Sequence, residues 1–336
     1  MVPPCYMRTM KFENIKKILT DIEVLEGKID DLNINGISDL DNLFENGLLF
    51  IKNKKFLAQV LEIELPKINL LISTKLKDSV PALKQKSPLT ICSVENIDLA
   101  VSLASKPFYL EKMSKAHFES SISATAIIHE GAFVGVNTTI GDNTIVHPGA
   151  VVMDNCFVGN DCELFPNSTL YPFVELGDHV RIHSGSIIGA DGFGYNFAGG
   201  IHHKVWHMGG VKISSHVEVG ANSQIDGGTF SPTLVGEGAK LDNNVQIGHN
   251  CKLGTGVMIC GHVAIGGSSR IGDFTVFGGK SGMGDNMELG PGCQVAGGSL
   301  VNCDWPAKTT LGGHPARPLK EWMRGIAFVR KESLRK

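Results

Sequence analysis

Aromatic side chains are scarce in this chain, 7% of 336 residues, and nowhere do eighteen apolar residues run together. The first shortage argues against a conventional globular core built around large rings. The second excludes a membrane-spanning helix of ordinary length. A one-sided charge is missing too: 31 Lys and Arg against 34 Asp and Glu leave a net charge of −3, too little to gather nucleic acid. The opening MVPPCYMRTMKFENIKK holds no apolar core of signal-peptide length. Eight cysteines occur without a CxxC pair or other ligand spacing, so packed, reduced thiols in a cytoplasmic protein are expected.

What the chain has in plenty is glycine, 40 residues, and a beat of six. Ile122, Ile128, Val134, Ile140, Val146, Val152, Val158, Leu164, Leu170, Leu176, Ile182 and Ile188 fall on one ruler. The beat resumes at Ile213, Val219 and Ile225. A four-residue insertion then shifts it to Val235, Leu241, Ile247, Leu253, Ile259, Ile265, Ile271, Phe277, Met283, Leu289, Val295 and Val301. Four residues after many of these stands a small side chain, such as Ala126, Thr138, Ala150, Ser186 or Ser269. Neither the helical period of 3.6 nor the strand period of 2 produces this. A hexapeptide solenoid does: six residues make a short strand and a corner, and three such units close a triangular lap. The aliphatic points inward and stacks on its equivalents, and the residue after it is expected to need the left-handed conformation that Gly, Asn and Asp tolerate. The pattern resembles the left-handed parallel β-helix of hexapeptide acyltransferases.

Two flanks lie outside the beat. Residues 1–117 carry an amphipathic stretch (Phe12, Ile15, Ile18, Leu19, Ile22) and strand-like runs, LLFIKN and KINLLIS, and read as a small α/β domain. The solenoid is expected over 118–305. Residues 306–336 read as a helical extension entered at Pro315 and Pro318. From Arg317 onward that extension holds seven basic residues against Glu321 and Glu332, a surface an acidic carrier protein would fit.

Eighteen residues past His249 is Gly267, so the two should lie one above the other. A near-neutral imidazole takes protons from nucleophiles, and a glycine N–H one lap away is placed to meet an oxyanion. Asp242, Asn243, Gln246 and Asn250 surround His249 in sequence and are expected to orient it or bind sugar hydroxyls. His129, His147 and His179 read as solvent-facing corners, and His262 sits at a different hexad position from His249. His202, His203 and His207 cluster on a glycine-rich loop without a supporting carboxylate, so no metal site is expected.

GADGFGY from Gly189, IDGG from Ile225, LDNNVQIGHN and GGHPARPLKEW occur in an order and spacing that resembles the UDP-3-O-acylglucosamine N-acyltransferase family. The resemblance covers nearly the whole chain. It implies transfer of a 3-hydroxyacyl group from acyl carrier protein to the 2-amine of UDP-3-O-(3-hydroxyacyl)glucosamine in lipid A biosynthesis, with no cofactor beyond that thioester. It also implies His249 as general base, Gly267 as oxyanion donor, and Asp242 and Gln246 as polar residues near that site, beside which Asn250 is expected to bind substrate from its place next to His249. Phe50 and Phe56 would flank uracil and Asn53 would hydrogen-bond it. A solenoid with three flat faces packs about a threefold axis with His249 in a cleft between subunits, so a homotrimer is expected, and the resemblance implies that the loop from Asp191 to Gly210 lies against a neighbouring subunit and borders the active-site groove. Departures from the family's pattern are Phe56 for Tyr, Gly227 for Arg, SPT (Ser231 to Thr233) for DDT, and Asn286 for a second histidine.

The alternative is another hexapeptide acyltransferase acting on a nucleotide amino sugar. A carbonic-anhydrase-type metal enzyme needs two histidines five apart, a partner His249 lacks. A structural or ice-binding solenoid needs regular exposed Thr rows, and the outward positions here are irregular.

Overall fold

The computed structural model describes residues 10–29, 32–114, 119–313 and 316–335. Pro315, expected at the turn into the last helix, and the basic Lys336 lie outside them.

The hexads coil as read. Their strands, mostly two residues long, stack in parallel into three walls of nine, nine and ten strands, a left-handed parallel β-helix. One lap is eighteen residues over most of its length: Gln246 pairs with Ala264 and Ile247 with Ile265 on the wall that carries His249. The column of inward aliphatics, from Ile140 to Val301, forms one continuous buried cluster. Each such side chain, fully buried, contributes roughly 1.5–3 kcal/mol, which suffices to hold strands too short to be stable singly. Cys156, Cys162, Cys251 and Cys293 are buried in the same column, as their place on the beat implied. Burial pushes the Cys156 and Cys251 thiols up to about 12, so they pack and do not react.

The glycines have a different cause from the one expected. Those following the inward aliphatic, apart from Gly189 (φ 93°) where the longer excursion begins, do not adopt positive φ; a Cβ on Gly254 would lie 2.7 Å from the backbone nitrogen of Asp273, one lap on. Close approach of successive laps selects glycine there. The left-handed residue comes two positions later and is most often Asn, as at Asn137 (φ 53°), Asn143 (φ 56°) and Asn250 (φ 59°).

Two excursions interrupt the eighteen-residue lap. Ile187 pairs with Gln224, and Gln224 with Gln246, so these laps take 37 and 22 residues. The longer one throws out an antiparallel hairpin, Tyr195–Ala198 against Ile201–Lys204. The coil's last strand is Thr310–Leu311, a few residues beyond the boundary expected at 305.

The N-terminal region is a five-stranded sheet in the order Glu23–Glu26, Thr90–Val94, Asn69–Ser73, Gly47–Ile51, Gly36–Ser38. All pairs are parallel except the first. The three central strands are buried at every residue, as parallel strands covered on both faces must be. Helices α1 (Phe12–Ile18), α2 (Lys54–Glu62), α3 (Val80–Lys84) and α4 (Ile97–Met113) accompany it. The amphipathic stretch is half helix: α1 buries Phe12 and Ile15 and stops at Ile18, with Leu19 buried just beyond. Ser231 donates backbone and side-chain hydrogen bonds to Asp39, tying this domain to the shorter excursion. Helix α5 (Leu319–Ser333) follows the coil, and none of its residues is buried. Among the described residues no helix is long and apolar enough to cross a membrane.

Candidate active site

His249 stands at a corner, two residues after the buried Ile247. At this corner position the coil runs a regular ladder. The N–H of Asp142 donates to Asn160 Oδ1 (2.8 Å), that of Asn160 to Asp178 Oδ1 (2.7 Å) and that of Thr255 to Asp273 Oδ1 (2.8 Å), each one lap of eighteen residues away. The residue one lap beyond His249 is Gly267, which has no side chain to supply the acceptor. The gap so left is where the imidazole lies. A Cβ on Gly267 would stand 2.9 Å from His249 Nε2, and a Cβ on Gly192 would stand 2.6 Å from His249 Cβ. Two glycines therefore clasp the ring.

The tautomer follows from bonding. Asn250 Oδ1 accepts from the Thr229 backbone N–H (3.1 Å) and the Thr229 hydroxyl (2.8 Å). A backbone N–H only donates, so this Asn250 atom is the carbonyl oxygen, and His249 Nδ1, 3.0 Å away, must carry the proton it shares with it. In the neutral ring Nε2 is then the basic nitrogen, and it is the one that faces Gly267.

Gly267 does not offer a free amide, contrary to expectation. Its N–H donates to Asp285 Oδ1 at 2.8 Å, the next rung of the same ladder. A carboxylate already holds the donor that an oxyanion would need. What the geometry gives Gly267 is a bare surface beside Nε2.

Of the polar residues expected around His249, Asn250 holds it directly. Gln246 acts one step away: its Nε2 donates to Asp226 Oδ1 (3.0 Å). Asp242 is elsewhere. With His183, Glu218, Lys240 and Cys260 it lines a separate cavity of about 540 Å³ across the corner, and Asn243 is a ladder acceptor there, taking the Ala221 N–H at 2.7 Å. Sequence neighbours part because a corner of the triangle lies between Leu241 and Gln246.

Asp226, His207 and Gly192 adjoin the site; the resemblance had set the Asp191–Gly210 loop beside it, but none of the three was singled out in the sequence. Burial raises the Asp226 carboxyl above its ordinary range, while Gln246 and the charge of His249 pull it back. His207 is 4% exposed, and its ring meets that of His249 edge-on at 5.3 Å. Burial, reinforced by His249, lowers its pKa to about 4. The signal for Asp226 was present: one lap back from His249, counted across the insertion, leads to the IDGG motif. His207 had no such signal, because its excursion leaves the register. His202, His203 and His207 do not converge: His203 meets Ala198 O, His202 packs on Phe197, and His207 bonds Val205 O. Among the described residues no three His, Cys, Asp or Glu side chains group to hold a metal ion.

The uracil candidates sit at the sheet's carboxyl edge, where parallel α/β sheets bind ligands. Asn53 caps α2 by accepting the Phe56 N–H (2.9 Å). Phe50 is core, 5% exposed, and packs with Leu48 and Leu71, while Phe56 leans on the cluster at the sheet's other face. The departures also find reasons. A Cβ on Gly227 would stand 3.0 Å from Gly189 O, so a longer side chain would have to push the laps apart. Ser231 is the docking contact to Asp39. Asn286 is a left-handed corner residue (φ 57°) whose N–H bonds Gly267 O. His129, His147 and His183 do not stand alone: with Phe165 they stack in a column one lap apart, and His179 stacks on His216.

A stacked hexad coil with an imidazole held at one corner is the architecture of the hexapeptide acyltransferases. The sequence pattern of the bacterial transferase hexapeptide (six repeats) family matches residues 155–190 and 232–267. The UDP-3-O-acylglucosamine N-acyltransferase of Helicobacter hepaticus is 37% identical over 305 residues, 90% of each chain. That of Helicobacter pylori is 38% identical over 311 residues, 90% of this chain and 89% of its own. A UDP-N-acetylglucosamine acyltransferase from Campylobacter jejuni, of known structure, is 23% identical, with a TM-score of 0.42 over 64% of this chain and 85% of its own. The chain belongs to the UDP-3-O-acylglucosamine N-acyltransferase family and is an acyltransferase.

Proposed function

We propose that this chain moves a 3-hydroxyacyl group from the thioester of acyl carrier protein to the 2-amine of UDP-3-O-(3-hydroxyacyl)glucosamine, with His249 as general base. The observation that carries the reading is the locked tautomer: Asn250 holds the Nδ1 proton, and Nε2 faces an open surface. As the amine attacks the thioester carbonyl, Nε2 takes one of its protons. The tetrahedral intermediate collapses with loss of the C–S bond, and the imidazolium returns the proton to the departing thiolate. The buried Asp226 carboxylate favours the imidazolium in between. Gly267 contributes room beside Nε2, and the reaction needs no cofactor beyond the carrier thioester.

Uridine binding is assigned to the edge at Asn53 and Phe56, with Phe50 packed in the core behind it, where the N-terminus of α2 adds a favourable field for the diphosphate. A homotrimer is supported by two apolar surfaces. Phe193 (88%), Phe197 (66%) and Ile201 (59%) are exposed on the hairpin excursion, and Leu319, Trp322, Met323, Ile326 and Val329 form an uncovered stripe on α5. The basic residues of α5 are the surface assigned to the acidic carrier protein, and the buried free thiols fit a reducing cytoplasm. Asp242 and its cavity are left for a neighbouring subunit's site.

The test offers the purified chain a UDP-3-O-acylglucosamine and a set of hydroxyacyl-carrier thioesters, and follows amide formation. Turnover with the amino sugar supports the reading. Turnover only with a different nucleotide amino sugar would move the assignment to another hexapeptide acyltransferase, and no turnover on any would end it.

A further inference from the structure

His207 is an odd residue to bury. Its Nδ1 lies 3.1 Å from Val205 O, and a carbonyl only accepts, so Nδ1 carries the proton and Nε2 the lone pair. That Nε2 is buried without a hydrogen-bond partner among the described residues. An orphaned acceptor of this kind costs about 1–3 kcal/mol, so a purely structural position would be better filled by an apolar ring. Charge cannot be its purpose, because the pKa of about 4 keeps it neutral wherever His249 works as a base.

Three features say what the acceptor is for. The two imidazoles share one small space, with ring centroids 5.3 Å apart. Two nitrogens each at hydrogen-bond distance from a common atom lie within about 6 Å of one another, a separation these rings allow. His207 also lines a cavity of about 230 Å³ with Asp191, Tyr109, Tyr171 and Phe173, so space for a ligand adjoins it. Finally, both rings are covered by the same backbone segment: Gly192 lies on His249, and Gly194 lies over His207, its Cβ position 2.8 Å from Cε1. Side-chain-free cover of this kind yields more easily than a packed side chain.

We propose that His207 Nε2, edge-on to the base, is a second acceptor that holds the incoming nucleophile and makes the site selective for an amine over a hydroxyl. This rests on His249 being the base of an amine acylation. A hydroxyl carries one hydrogen, which the base removes. A primary amine carries two: His249 takes one, and the other donates to His207, turning the nitrogen lone pair toward the thioester carbon. No proton passes to His207, and the balance of the transfer is unchanged. Ligand engagement requires the Asp191–Gly194 segment to yield at Gly194, which covers Nε2 in the unliganded chain.

The experiment compares the whole chain with His207→Phe and His207→Gln, using a UDP-3-O-acylglucosamine and its counterpart with a hydroxyl in place of the 2-amine. Activity of the unaltered chain on the amine tests the underlying reading by itself. His207→Phe is expected to lower kcat on the amine about 10- to 100-fold with Tm undiminished and KM nearly constant. His207→Gln, which restores an acceptor, is expected to recover much of that loss. The ratio of amine to hydroxyl transfer should fall in the Phe variant. Full amine activity in His207→Phe, an equal loss on both acceptors, or equal losses in the Phe and Gln variants at unchanged Tm would each overturn the proposal. Where hydroxyl transfer is too slow to follow, the Phe and Gln variants decide it alone.

Discussion

The coil has two kinds of lap. The regular ones, such as Thr139–Ile140 on Phe157–Val158, advance eighteen residues, and Asx side chains bridge their corners. The irregular pair between Ile187 and Gln246 advances 37 and then 22, and it supplies Gly192 and His207, which meet the His249 ring on the sides that Gly267 does not. Repetition builds a column that needs nothing further. Chemistry requires groups of different kinds in one place, and a strict repeat cannot deliver them. The excursions do so by adding Gly192 and His207 from one insertion and Thr229 from the other, while the ladder's missing side chain at Gly267 leaves the room.

The comparison breaks most sharply at two corner histidines. His249→Ala is expected to lower the rate of acyl transfer by about two to four orders of magnitude. His262→Ala, at an exposed left-handed corner (φ 61°), is expected to stay within about twofold in the same assay. Comparable losses in both would mean that the irregular laps do not define the site.

Next in size are the glycines. Gly267→Ala would set a methyl 2.9 Å from Nε2 and is expected to cost about 10- to 100-fold in kcat by displacing the base, with the fold kept. A Cβ at Gly282, on the same wall one lap on, would meet Ala264 O and Leu300 at 3.3–3.4 Å, so Gly282→Ala is expected to leave kcat unaltered. Steady-state kinetics on the two variants separates them.

Stability against pH distinguishes the excursion from the repeat. The folded pKa of His207 is depressed to about 4, so the unfolded chain binds the extra proton first. Stability from this group is complete above about pH 6.5 and falls as pH drops toward 4, by on the order of 3 kcal/mol. Denaturant titrations across that window should show a shallower slope in His207→Phe than in the unaltered chain.

The smallest effect concerns the ladder. Asp285→Ala and Asp273→Ala each remove one rung and are expected to cost about 1 kcal/mol without changing kcat. A rise in kcat confined to Asp285→Ala would show that the freed Gly267 N–H serves the oxyanion after all.

The sequence made the coil plain because its core repeats: Ile247, Leu253, Ile259 and Ile265 must all point inward, and no other period accommodates them. Stacking His249 beside Gly267 followed from the same arithmetic. The period does not decide where neighbours in sequence fall on opposite sides of a corner, as Asp242 does, or which side chain takes an N–H, as Asp285 takes that of Gly267. Asp226 was hidden because the lap that brings it beside His249 spans 22 residues and breaks the eighteen-residue register. Phe50 could not be divided between core and binding edge until the sheet showed which face it lines.

By itself, then, the sequence determined the architecture and singled out His249 as the proposed base, since both follow from a short period that local chemistry enforces at every turn. Only the tertiary structure decided the base's surroundings. The tautomer, the buried neutral His207 and the occupied amide of Gly267 depend on hydrogen bonds between segments far apart in the chain, and their pairing is set where two insertions fold back against the wall.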